Sequence, residues 1–104
     1  MHVATVVGHV WATQKDETLT GLRLLVVQPF TADGELAAET MVAADTIGAG
    51  IGERVLVVHG RAARYLIGKG HDVGFQTAVA GIIDRMALAD GRSIGTTEEH
   101  DTES

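Results

Sequence analysis

Residues 42–64 read VAADTIGAGIGERVLVVHGRAAR, and the order of elements in that stretch decides the fold. An apolar run ends at Asp45, and the glycine-rich loop Asp45-Thr-Ile-Gly-Ala-Gly-Ile-Gly-Glu53 follows it. Next comes Arg54–His59 (RVLVVH), a run with the length and valine content of a short buried strand. Gly60–Ile67 (GRAARYLI) follows directly and gathers Ala62, Ala63, Leu66 and Ile67 on one side, which predicts a short helix. The loop has the spacing Gly48-x-Gly50-x-Gly52 and leads into a strand. A dinucleotide-binding fingerprint needs a strand before its glycines and a helix after them. The loop is therefore read as a tight turn in which backbones approach closely.

Upstream, His2–Thr13 alternates with period two, placing Ala4, Val6, Val10 and Ala12 on one small or apolar face. Gly8 lies within that run and marks a bend or bulge of the kind that barrel closure requires. The polar segment Gln14–Gly21 is a loop. Leu22–Gln28 is a second strand, apolar on both faces, and Pro29 ends it because proline has no ladder N–H. Asp33-Gly34 is a turn signal, and Thr40–Ala44 is a weaker third strand. Downstream, Gly68–Gly74 is loop and Thr77–Met86 is a fifth strand. Beyond Leu88 the chain turns acidic and is expected to fray. The expected fold is mostly β: a small five-stranded OB-like barrel with one short helix between strands four and five. The barrel occupies residues 1–88, and residues 89–104 form an acidic, flexible tail.

With 104 residues the chain has room for one domain, yet 45% of it is hydrophobic and its mean hydropathy is positive. A domain this small has limited interior. Strands that are apolar on two faces therefore suggest that it buries surface against copies of itself. The net charge of −6 is unevenly placed. Residues 90–104 hold five acids against Arg92, a net −4, which leaves −2 for the body. Phosphate binding needs clustered Lys and Arg, and a single-strand-binding OB face needs aromatics among them. Strands two and three offer Arg23 and no aromatic residue, so nucleic acid is not an expected partner. The chain has no cysteine, which fits a reducing compartment. The start, MHVATVVGHVWAT, reads as a strand rather than a signal peptide or membrane span. The expected location is cytoplasmic, with no membrane partner.

No catalytic constellation emerges. The five histidines, His2, His9, His59, His71 and His100, lack the i, i+4 spacing of a helical zinc motif and are read as surface or interface imidazoles. Asp45 and Asp84 each follow an apolar run and are read as turn or ladder-end groups. Ser93 and Ser104 lie in or beside the tail, where a nucleophile would be poorly held. No catalytic residue, metal site or cofactor is expected.

Three stretches, Leu22–Pro29 (LRLLVVQP), Val42–Arg64 and Ala78–Asp84 (AVAGIID), follow the opening ATVVGHVWATQKDETLTG. Taken in that order they resemble the bacterial microcompartment vertex-protein family of the EutN/CcmL type. The most specific part is Asp45-x-x-Gly-Ala-Gly-x-Gly-Glu53, a valine-rich strand, and Gly60-x-Ala-Ala-Arg64. The resemblance spans residues 1–88 and implies a five-stranded OB-like barrel that forms a homo-pentamer. In that family the pentamers plug the five-fold corners of polyhedral shells built mainly from hexameric shell proteins. The family has no catalytic residues to carry over. Candidate turn or subunit-interface residues are Asp45, Gly48, Ala49, Gly50, Gly52, Glu53, Gly60, Arg61 and Arg64. Glu53 and Arg64 are candidates to pair with each other. Arg61 departs from the family pattern, in which a small hydroxyl residue usually follows the glycine. The alternative from another class is an OB-type module binding a small ligand or peptide as monomer or dimer. Oligomer size separates the two.

Overall fold

The computed structural model describes residues 1–11, 23–33, 35–67 and 77–101. Its strands are β1 (His2–Val10), β2 (Arg23–Pro29), β3 (Met41–Asp45), β4 (Arg54–His59), β5 (Thr77–Ile82), β6 (Arg85–Ala87) and β7 (Ser93–Gly95). One helix, α1 (Gly60–Ile67), lies between β4 and β5, and Glu98–His100 forms a 3₁₀ turn. The first five strands close into a barrel in the order β1-β2-β3-β5-β4, and β4 pairs back onto β1 with His2 opposite Val57. All neighbours are antiparallel except β3 and β5, which share the short parallel pairing Ala44↔Ala78 and Asp45↔Val79. Parallel neighbours need a crossover, and β4 with α1 lies within the connection. Closure removes the exposed edges that an open sheet of this size would carry.

Gly8 sits at a bulge, as its place in β1 suggested. Val6 faces Val27 and Gly8 faces Val26, so Val7 is the extra residue and lies 48% exposed. A second shift falls between Leu56 and Val57, where β4 pairs with β5. Bulges bend a strand and sharpen its twist, which helps so few strands close.

The interior is built from small and branched side chains. Ala4, Val6, Leu25, Val27, Ala43, Ala49, Val55, Val57 and Val79 form one fully buried cluster. Leu24, Ala44, Val58, Ala63 and Ala78 form a second. Ala63 belongs to α1, so the helix covers one outer flank of the barrel. This explains part of the double apolarity of β2: Leu25 and Val27 fill the barrel while Leu24 meets the helix side. The sequence reading assigned that second face to an outside partner, whereas the chain's own helix covers this part of it.

The fifth strand is shorter than the expected Thr77–Met86. It stops at Ile82, and Arg85–Ala87 pairs instead with Ser93–Gly95 as a hairpin. Beyond Leu88 the chain turns back into the second strand of that hairpin. The Leu88 N–H donates to the Arg92 carbonyl at 2.9 Å, and the Gly91 N–H donates to the Leu88 carbonyl at 3.1 Å. Gly91 takes φ +93°, which suits glycine, and Asp90 Oδ1 accepts the Arg92 N–H at 3.0 Å. Asp90-Gly91 is thus the hairpin-turn signal that an acidic composition obscured. The segments Gln14–Gly21 and Gly68–Gly74, together with Leu22 and Gly34, lie outside the described residues.

Candidate functional site

Asp45 ends β3 and organises the glycine loop. Its side chain is fully buried and accepts the N–H groups of Ile47 at 2.9 Å, Gly48 at 3.1 Å and Ala49 at 3.0 Å. Arg23 Nη1 donates to Asp45 Oδ2 at 3.1 Å. A buried carboxylate is tolerable when both oxygens are occupied in this way. The chain then passes through Gly48 at φ +103° and Gly52 at φ +92°, conformations that L side chains rarely adopt. Between them Ala49 is wholly buried and joins the barrel cluster, so the loop closes one end of the interior. Gly50 has no positive φ. A Cβ added there would lie 3.1 Å from Glu53 Oε1, the oxygen that accepts the Gly50 N–H. The loop is pinned to β1 by Gly52 N–H to the Val6 carbonyl at 2.8 Å and Val6 N–H to the Glu53 carbonyl at 2.9 Å.

Six of the nine candidate residues, Asp45, Gly48, Ala49, Gly50, Gly52 and Glu53, therefore meet in one folded loop. Gly60, at φ +64°, turns the chain from β4 into α1, and Arg61 beside it is exposed. The Arg64 side chain lies outside the described residues, and so does its pairing with Glu53. The Glu53 carboxylate holds its own loop through Gly50. Asp45 is engaged with the loop and Arg23, as expected of a ladder-end group. Among the described residues no group of three or more His, Asp or Glu side chains is arranged to hold a metal ion.

Several apolar side chains stay in solvent, some of them on this loop and β1. Ile51 is 60% exposed, Ile47 46% and Trp11 86%, with Val7, Leu36 and Val42 also open. Exposed apolar groups gathered on one chain mark sites of association when they form a patch. Ile47 and Ile51 flank the buried Ala49, and Val7 neighbours Val6, the loop's anchor. Strand alternation already sets Val7 opposite the buried Val6, and the bulge leaves it without a cross-strand partner on β2.

Two clusters were missed by reasoning from sequence. Arg54, at the start of β4, donates to both carboxylate oxygens of Asp101, at 2.7 and 2.9 Å. Its backbone N–H reaches the Thr96 carbonyl at 2.8 Å, and its guanidinium lies 5.8 Å from the Phe30 ring centre. A cavity of about 300 Å³ beside it is lined by Phe30, Leu36, Arg54, Arg92 and Ile94 among others. At the junction of β4 and α1, His2 Nδ1 and His59 Nε2 stand 2.9 Å apart. Burial, then His2, then the amino terminus push the His59 imidazole below its usual pKa. No local signal links residues that far apart in the chain.

Residues 1–84 match the family model described as ethanolamine utilisation protein EutN/carboxysome. The carboxysome shell vertex protein CcmL of Thermosynechococcus vestitus is 48% identical over 87 residues, covering 84% of this chain and 87% of the relative. The bacterial microcompartment shell vertex protein PduN of Salmonella typhimurium is 43% identical over 91 residues, covering 84% of this chain and 99% of the relative. Among solved structures, the GrpN pentameric microcompartment shell protein from Rhodospirillum rubrum superposes with a TM-score of 0.76. It is 37% identical and covers 86% of this chain and all of that one.

Proposed function

The chain belongs to the EutN/CcmL family, and from that premise we propose that it is a structural vertex protein of a bacterial microcompartment. It acts as a homo-pentamer at the corners of the shell, has no catalytic role, and resides where such shells assemble, in the cytoplasm. The observation that carries this reading is the 48% identity to a carboxysome shell vertex protein over most of both chains. The exposed apolar side chains at Val7, Ile47 and Ile51 on an otherwise closed barrel support it, because a ring of head-to-tail copies would cover such groups. The candidate residues of the glycine loop, with Gly60, Arg61 and Arg64, are proposed as turn and subunit-contact positions. The OB-type ligand-binding alternative loses ground to the vertex relatives.

Hexameric shell proteins are the proposed partners. Flat hexagonal tiles cannot enclose a volume by themselves, so a closed shell needs units of lower symmetry at its corners. Native mass spectrometry at neutral pH should show five copies, and a monomer or dimer at every concentration would refute the ring. Deleting the gene in a host with no second vertex protein should leave shell tiles and cargo in place. Electron microscopy should then show elongated or open shells, whereas regular closed shells would remove the corner role.

A further inference from the structure

His2 and His59 are separated by 57 positions in the chain, and the β1–β4 closure of the barrel brings their rings together. The rings stand edge to face at 89° with centres 4.9 Å apart, and His2 Nδ1 lies 2.9 Å from His59 Nε2. The other nitrogen of His59, Nδ1, is 3.2 Å from Thr77 Oγ1 on β5. In the tautomer where Nδ1–H donates to that hydroxyl, Nε2 is unprotonated and presents its lone pair towards His2. An imidazole held through its second nitrogen is a recurring feature of metal-ligating histidines. The pair is open to solvent on the His2 side.

We propose that His2 Nδ1 and His59 Nε2 form a two-point chelate for a borderline divalent transition-metal ion, with Thr77 as the residue that orients His59. The 2.9 Å separation is that of a hydrogen bond, so the rings must turn for both lone pairs to meet one ion, and the smallest change in separation favours a cis arrangement. With metal–nitrogen bonds of about 2.05 Å, two nitrogens 2.9 Å apart subtend about 90° at the ion. That angle is the cis angle of a tetragonal or square-planar centre, which copper(II) and nickel(II) favour. A tetrahedral zinc ion would need the nitrogens to part to about 3.3 Å. Copper(II) should therefore bind most tightly, as its place in the affinity order of divalent ions also requires. On binding, the proton shared between the two facing nitrogens moves to His2 Nε2, and the remaining coordination positions are open to water.

Copper(II) titrated into the full chain, with glycine as a competing chelator, tests this by calorimetry and electron paramagnetic resonance. One strong site per chain is expected, with a tetragonal spectrum showing coupling to two imidazole nitrogens. His2→Gln and His59→Gln should each remove that spectrum and weaken binding at least about tenfold. His9→Gln and His100→Gln should leave both unchanged. Thr77→Val should keep the stoichiometry and weaken affinity, because it removes only the orienting contact. The His2 side chain is exposed, so His2→Gln reads the site even if His59→Gln disturbs the fold. An unchanged spectrum and affinity in His2→Gln, with circular dichroism matching the parent, would overturn the proposal, as would loss of the site in His9→Gln.

Discussion

Asp45 shows how one side chain sets a loop. Its oxygens accept three successive loop N–H groups and the Arg23 guanidinium. The Arg23 side chain is 44% exposed, so the ion pair itself is worth little. The loop hydrogen bonds are made to a fully buried carboxylate and matter more. Asp45→Asn exchanges one acceptor for a donor that faces backbone N–H groups. It should lower stability by about 1–3 kcal/mol, read as a shift in the urea midpoint, and an unmoved midpoint would show that the loop holds without it. The glycines divide by backbone geometry. Gly48 and Gly52 adopt positive φ, so Gly52→Ala should cost about 1–3 kcal/mol through strain. Gly50→Ala meets only a flexible carboxylate oxygen and should cost less. Equal losses at Gly50 and Gly52 would mean that crowding, rather than backbone angle, governs the loop.

The C-terminal hairpin is held to the barrel mainly through β4. Arg54 joins Asp101 by two short charge-assisted bonds, and Asp101 Oδ1 also accepts the Gly95 N–H at 2.9 Å. Arg54 is mostly buried, with 12% of its side chain exposed. Removing its partner leaves a desolvated cation, the costly half of a broken pair. Truncation after Gly95 should therefore lower the melting temperature, and Asp101→Asn should lower it less. The expectation of a flexible tail predicts no such loss. A truncated chain that melts with the full-length one would support that expectation. Asp90 holds the hairpin turn. The Arg92 backbone N–H, and then the Arg92 side chain, keep its carboxyl below the usual carboxylate range. The folded hairpin thus binds that proton less readily than the unfolded chain. Its contribution is present above the ordinary carboxylate pKa and fades as pH falls through the lowered value. Protection factors for amide exchange at Met86 and Ile94, taken relative to the unfolded chain at the same pH, should fall at low pH, and Asp90→Asn should flatten that dependence. An equally steep pH dependence in the variant would assign the effect to another group.

The whole molecule is a closed barrel with apolar groups left outside it. Val7 is the extra residue of the Gly8 bulge and lies half-exposed outside the buried clusters. Val7→Asp should therefore leave the fold of the subunit intact, with an unchanged circular dichroism spectrum, while shifting native mass from five copies towards one. Loss of the fold instead would place Val7 in the core. Val6→Asp is the contrasting change, since Val6 is wholly buried. It should unfold the chain, because an unpaired charge in a dry core costs several kcal/mol.

Strand period, turn residues and the ordered glycine loop are local properties of the chain. They carried the five barrel strands, the helix after β4, the bulge at Gly8 and the family resemblance directly from residue order. Limits came where one local signal masked another. The acids of residues 90–104 concealed the Asp90-Gly91 turn, and the run Thr77–Met86 hid the break after Ile82. Other features depend on contacts between distant residues, which no period encodes. The pairing of β1 with β4 unites His2 with His59, and the return of the last segment unites Arg54 with Asp101, 47 positions away. Which apolar side chains fill the barrel, which lie under α1 and which remain for a neighbour was likewise decided by closure. A strand has only two faces, and what each face meets is set by the strands and the helix that fold against it.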